Sequence, residues 1–322
     1  MYKKLLQCAL GTVLIAATHC ASATSFYFAA HADDIELFMA RNVGYDVASG
    51  AKVVIVLTTT GSFVRNEQGI VTVRGAGVFP GLTPASSTPY YLTREAGHIA
   101  ALADWYKQQS KPFGANNVTN VTISGKSIQR TEIGGAGSNV IMYNLRLADG
   151  DDQDQSGFTW FRNQSLTNPS TRISAVDGSA SYTWTELKTF INALIAREQN
   201  SADSWVNIPE YWEDGIPEIN YDHQDHKTTG RLVSHALSDY STSSPTRCIR
   251  SVQWIGYANT NKAENYTASE KTLQDKVWND LNIAKVQAGG PDTRDSGHAV
   301  FLHKIYTSAN GTNGVNKFGP CP

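Results

Sequence analysis

The chain alternates short apolar runs with longer stretches of helical spacing, and that alternation predicts its architecture. Residues 24 to 28 and 52 to 57 are the clearest strands, each an apolar or aromatic run of strand length. Between them the stretch from Asp34 to Arg41 reads as a helix, closed off by Gly50 before the second strand. Strand, helix, strand at that distance predicts a βαβ unit, hence a parallel sheet with a right-handed crossover. Further along, Ile99, Leu102 and Ala103 mark one face of a helix over 92–106, and Leu187, Phe190, Ile191 and Leu194 mark another over 183–198. Residues 118–128 alternate β-branched and polar positions, as an edge strand or a hairpin does; 139–147, 204–208 and 251–257 also read as strands. A late helix is predicted over 269–288 and a final strand over 299–306. From 62 to 91 the pattern dissolves into Gly, Pro, Ser and Thr, a loop of the length that usually binds or stays disordered. Phe158, Trp160 and Phe161 stand among Asn, Ser and Thr, where exposed rings would stack on a sugar and buried ones would belong to the core.

The start of the chain stands apart from this pattern. Lys3 and Lys4 precede an apolar run over 9–17, and Ala21-Ser22-Ala23 is a small-x-small cleavage site. Residues 1–23 therefore read as a secretory signal peptide cut before Thr24, and 24–322 as one exported domain, periplasmic or secreted. The apolar run is too short for a membrane span. A lipoprotein signal ending at Cys20 is the alternative, against which His19 stands in place of a small residue. Export leaves Cys248 and Cys321, which in an oxidising compartment most simply form a disulfide tying the C-terminus to the body of the chain. Neither has the C-x-x-C partner expected of a zinc ligand. A net charge of −2 with 17% charged residues provides no basic surface for nucleic acid or anionic lipid, which leaves a small molecule or a glycan as the partner class. Sequons at Asn117, Asn120, Asn163, Asn265 and Asn310 matter only where the host glycosylates.

The candidate chemistry lies where the first strand ends. Phe26-Tyr27-Phe28-Ala29-Ala30 stops on His31-Ala32-Asp33-Asp34, and in open α/β sheets ligands bind past the carboxyl ends of strands. Taken alone, Asp33-Asp34 reads equally well as a helix cap. A second cluster changes that balance: Tyr221-Asp222-His223-Gln224-Asp225-His226 places two histidines and two acids ahead of a helical pattern. Catalytic zinc typically takes three His or Asp/Glu ligands and keeps one position open for water. His31, Asp34 and His226 are the candidate three, with iron or cobalt as possible occupants of such a set. Asp149 also falls at a predicted strand end, in Ala148-Asp149-Gly150-Asp151. His98 reads as a helix-surface residue, His298 and His303 as structural.

In their order and setting the two clusters resemble the PIG-L/LmbE family of zinc-dependent N-deacetylases, whose members open on a strand ending in His-Pro-Asp-Asp and close the site with His-x-Asp-His. Arg94-Glu95 opening a helix, Leu147-Ala148-Asp149-Gly150 at a strand end, and Tyr221 two residues before His223 agree with it. The resemblance spans about residues 26–237 and departs at Ala32, which replaces the proline, at Ile35-Glu36, and at Phe38-Met39-Ala40, where a glycine pair is common. It implies a Rossmann-like three-layer αβα fold with a mostly parallel sheet and a site at the carboxyl ends of the strands. It implies Zn2+ on His31, Asp34 and His226, with Asp33 as general base. It implies too a protonated His223 backed by Asp225, a Tyr221 hydrogen bond to the oxyanion, and Arg94 and Asp149 facing the substrate or supporting the site. The implied reaction is removal of N-acetyl groups from an N-acetylglucosamine-type sugar or glycoconjugate. The alternatives are a zinc amidase acting on a non-sugar acylated compound and a non-catalytic sugar-binding protein on the same scaffold. A dinucleotide-dependent oxidoreductase is disfavoured, because the first strand leads into His-Ala-Asp-Asp and not into G-x-G-x-x-G.

Overall fold

The computed structural model describes residues 23–61, 63–65, 71–73, 88–109, 111–150, 157–200, 203–215, 221–243, 246–290, 292–294, 297–308 and 315–321. The expected signal peptide, apart from Ala23, lies outside the described residues, as do Asp151, Asn310 and most of the 62–91 loop. Twelve strands are described: β1 (Thr24–Ala29), β2 (Val53–Thr59), β3 (Phe63–Arg65), β4 (Val71–Val73), β5 (Asn117–Ile123), β6 (Lys126–Glu132), β7 (Val140–Leu147), β8 (Ile173–Ser174), β9 (Ser181–Tyr182), β10 (Asp203–Pro209), β11 (Cys248–Trp254) and β12 (Val315–Phe318). Six α-helices join them: α1 (Ala40–Ala48), α2 (Tyr90–Lys107), α3 (Phe158–Thr167), α4 (Trp184–Glu198), α5 (Gln224–Ser243) and α6 (Ala268–Gln287).

Phe26 and Phe28 of β1 face one side of the sheet and Tyr27 and Ala29 the other, and all four are buried. A strand apolar on both faces requires cover on both. The eight-stranded sheet runs β12-β11-β10-β1-β2-β7-β6-β5. Its centre, from β11 through β10, β1 and β2 to β7, is parallel, while β12 on one edge and β6 and β5 on the other are antiparallel. On one face Phe158, Phe161, Leu187, Phe190, Leu194, Leu232 and Leu237 of α3, α4 and α5 pack against Phe26 and Phe28. On the other, Val43, Val47, Leu102, Trp105, Val277 and Leu281 of α1, α2 and α6 pack against Tyr27 and Ile55. The result is a mostly parallel three-layer α/β fold; each such side chain contributes about 1.5–3 kcal/mol by leaving water.

Several local expectations change in the fold. The helix expected from Asp34 opens as a π-helical turn, Ile35–Met39, before α1. All five residues of that turn are buried. Asp34 does not cap it; its carboxylate accepts a 2.8 Å hydrogen bond from the backbone N–H of His31. Residues 118–128 resolve as the β5–β6 hairpin, turned by Ser124 and Gly125 at positive φ. Phe158 and Phe161 are core residues of α3 and Trp160 packs against the same cluster, so the first two rings belong to the core and are not available to stack on a sugar. The stretch 299–306 forms no strand. A 3-10 turn, Gly297–Phe301, and one bridge from Thr307 to Trp254 occupy that region, and β12 is the last strand. Cys248 and Cys321 form the expected disulfide. No helix among the described residues is long and apolar enough to cross a membrane.

Candidate metal centre and active site

The carboxyl ends of β1 and β7 and the start of α5 meet at one point. After β1 the chain turns sharply, and the Asp34 carboxylate folds back so that Oδ2 stands 3.4 Å from His31 Nδ1. The first turn of α5, 195 positions away in sequence, brings in His226, whose Nε2 is 3.2 Å from His31 Nδ1 and 3.1 Å from Asp34 Oδ1. Ligands on a tetrahedral zinc ion at 2.0–2.1 Å are separated by roughly 3.3 Å, so the two nitrogens have the spacing of a ligand pair, and the Asp34 carboxylate sets one oxygen at a like distance from each. The other nitrogen of each ring is engaged by a carboxylate: His31 Nε2 with Asp149 Oδ1 at 3.3 Å, and His226 Nδ1 with Asp222 Oδ1 at 2.8 Å. A carboxylate behind each imidazole fixes the tautomer that leaves the inner nitrogen's lone pair free for a metal. His223 Nε2 or Nδ1 also lies within reach of this point, so His31, His223 and His226 form a second possible donor set. The residues present fit a divalent cation.

Charge reinforces this arrangement. Burial works against a charged imidazole at His226, but Asp34 and Asp222 outweigh it and push its pKa up to about 10. His31 is likewise raised, against its burial, by Asp34 and Asp149. Asp34 lies well below the usual carboxylate range despite burial, because both imidazoles face it. The site is built for positive charge, supplied by protons or by a metal ion. Behind His31, burial and then Asp149 push Asp225 up to about 8, while the hydrogen bond from Asp225 and the charge of His31 hold Asp149 low. The two acids thus share one proton in a buried pair.

A cavity of about 160 Å³ opens over this face, lined by His31, Asp33, Asp34, Leu37, Gly61, Arg94, Asp149, His223, Tyr257 and His298. Asp33 points away from Asp34 and forms an ion pair with Arg94, whose Nη1 donates to the carbonyl of Gly61 at 2.6 Å. Burial alone would raise Asp33, but Arg94 and then His298 overcome it, so the carboxylate remains ionised. No known family profile matches the sequence, and no curated protein matches it. Among solved structures the chain is similar to the N,N'-diacetylchitobiose deacetylase from Pyrococcus horikoshii, with 11% identity, coverage of 92% of this chain and 84% of that one, and a TM-score of 0.43. It is similar also to a deacetylase of the teicoplanin biosynthetic pathway (12% identity, coverage of 86% and 87%, TM-score 0.40). A third is an antimicrobial pseudoaglycone deacetylase (13% identity, coverage of 86% of each chain, TM-score 0.42).

Several expectations for individual residues meet a different arrangement. Tyr221 is 79% exposed and does not line the cavity; its ring lies 6.5 Å from that of Tyr257, which does. Asp225 does not back the His223 ring. Its carboxylate accepts from Gly150 N–H and Thr159 Oγ1, and it is its backbone N–H that donates to His223 Nδ1, at 3.2 Å. Nor is His223 cationic: burial, followed by the charges of His31 and His226, pushes it down to about 3. His98 is a fully buried partner of Glu36 at 2.6 Å, not a surface residue. His298, expected to be structural, lines the cavity, whereas His303 pairs with Asp275 at 2.7 Å. Sequence reading missed Tyr257 and Asp222 as site residues. Tyr257 follows the carboxyl end of β11, so the strand-end rule could have found it. His298 carries no local pattern that distinguishes it.

Proposed function

We propose that this chain is a zinc-dependent amidohydrolase that removes N-acetyl groups from an N-acetylglucosamine-type sugar or glycoconjugate. The observation that carries the reading is His31 Nδ1 and His226 Nε2 at 3.2 Å from each other, with Asp34 Oδ2 at 3.4 Å from the first and Oδ1 at 3.1 Å from the second, and each histidine's outer nitrogen on a carboxylate. Zn2+ held by these residues would supply Lewis acidity, polarising the scissile carbonyl and lowering the pKa of water at the site.

The chain's own groups then divide the proton work. Asp33, ionised and facing the cavity, accepts a proton from the attacking water. Arg94 holds its carboxylate in place. His223 accepts at Nδ1, so in its neutral form the proton sits on Nε2, which donates to the developing oxyanion. A donor of that kind lowers the barrier by about 3 kcal/mol. The proton delivered to the leaving amine is assigned to Asp33 in its acid form. Tyr257, with its hydroxyl held protonated by burial, takes the place assigned to Tyr221 on the cavity wall.

Export of the chain belongs to the same proposal and is supported by the Cys248–Cys321 disulfide. Metal analysis of the purified protein, followed by acetate release from N-acetylglucosamine glycosides and from acylated amino acids, tests the reading. Stoichiometric zinc with turnover of the glycosides supports it. Metal-free protein that turns over neither class rules it out.

A further inference from the structure

We propose that Asp222, which no motif singles out, is a positioning residue that ties the metal ligand, the second histidine and the aromatic wall of the cavity to one oxygen atom; the inference rests on the metal-site reading above. Its Oδ1 engages His226 Nδ1 at 2.8 Å, and accepts from the backbone N–H of His223 at 2.8 Å and of Tyr257 at 3.2 Å. These partners come from two segments: the start of α5, and the loop after β11. Asp222 is buried, and its other oxygen, Oδ2, has no hydrogen-bond partner among the described residues. The carboxylate's hydrogen bonding therefore runs through Oδ1.

The backbone opposite is shaped to admit it. Gly256 lies directly against the carboxylate, so a Cβ at that position would overlap Oδ2 and come within 2.5 Å of Oδ1. Glycine at 256 is thus a condition of the Asp222 position. The consequence reaches both walls of the cavity. Tyr257 lies 5.2 Å from the His226 ring, centroid to centroid, and is stacked on Phe301 at 5.1 Å with the planes 8° apart. A shift of Asp222 would rotate the His226 ring, loosen the first turn of α5 and release the backbone that orients Tyr257.

The charge matters beyond the geometry. An anion at Nδ1 keeps the His226 proton on that nitrogen, presents Nε2 as a ligand and raises its basicity. An amide in the same place can accept the same hydrogen bond but carries no charge.

The test compares wild type with Asp222→Asn, Asp222→Ala and Gly256→Ala, reading zinc affinity by chelator competition and ligand geometry by the visible spectrum of the cobalt-substituted protein. Zinc affinity should fall 10–100-fold in Asp222→Ala, and less in the isosteric Asp222→Asn. Gly256→Ala should reproduce the Asp222→Ala spectrum with Asp222 still present. Circular dichroism of Asp222→Asn, which keeps the shape of the side chain, separates this effect from loss of fold. Wild-type affinity and an unaltered cobalt spectrum in both Asp222 variants would overturn the positioning role alone. A wild-type chain that takes up no zinc would overturn the metal reading and this role together.

Discussion

Asp33 and Asp34 are neighbours with separate duties, one turned to Arg94 and the other to His31 and His226. Asp33→Asn should keep full zinc content and lose turnover by roughly a hundredfold to ten-thousandfold, the usual worth of a general base. Unimpaired acetate release by that variant would refute the assignment. His226→Ala, which removes a proposed ligand, should lose metal and activity together. The pKa of His226 supplies a sign-specific test. It stands near 10 against an ordinary 6.5, so the imidazolium stabilises the chelated protein fully below about 6.5 and ceases to do so as pH climbs through about 10. Zinc on Nε2 replaces that proton. The gap in Tm between zinc-loaded and chelated protein should therefore widen across this window, and a gap that narrows would contradict the site as drawn. At this scale the sequence pointed to side chains that the fold brings together, because His31, Asp33, Asp34 and His226 each sit at a predicted strand or helix end. It did not reveal partners: Asp225 turned to Thr159 and Gly150, a choice fixed by the loop after β7 and by α3.

Elements deliver these side chains, and α5 shows how closely. Gly230, one turn after His226, lies against the carbonyl of Pro209 at the end of β10, where a Cβ would overlap it. Alanine there would gain about 1 kcal/mol in helix propensity. Overpacking against a backbone atom costs about 1–3 kcal/mol and outweighs it. Gly230→Ala should thus lower stability by up to roughly 2 kcal/mol in a urea melt and weaken zinc binding as α5 lifts from the sheet; a variant more stable than wild type would show that α5 has room to move. Periodicity located most elements, and the helix over 183–198 carries the capping box that Thr183 and Glu186 encode locally. It failed where burial is continuous, as in the π turn over Ile35–Met39, and over 299–306, where apolar residues serve a 3-10 turn. In the π turn, where every residue is buried, the pattern lacks the contrast that defines a period.

For the molecule as a whole, the disulfide and the site lie at opposite ends of the sheet. Cys248 begins β11, and the cavity opens beyond the strand's far end. Closing a loop of 73 positions removes about 4 kcal/mol of chain entropy from the unfolded state. Cys321→Ser should lower unfolding free energy by about that much while leaving zinc affinity unchanged; loss of metal along with stability would mean that β12 and the site are coupled.

Read alone, the amino-acid order determined the alternation of strand and helix, the parallel centre of the sheet, the two polar clusters and the pair of cysteines. These depend on period, on strand ends and on residue type, all of which are local. Only the folded chain decided that Asp222 accepts from Tyr257, that Tyr257 lines the cavity while Tyr221 lies exposed, and that His298 reaches the cavity. Such pairings join segments far apart in the chain, and strand order and helix packing select them, which no short window of sequence can encode.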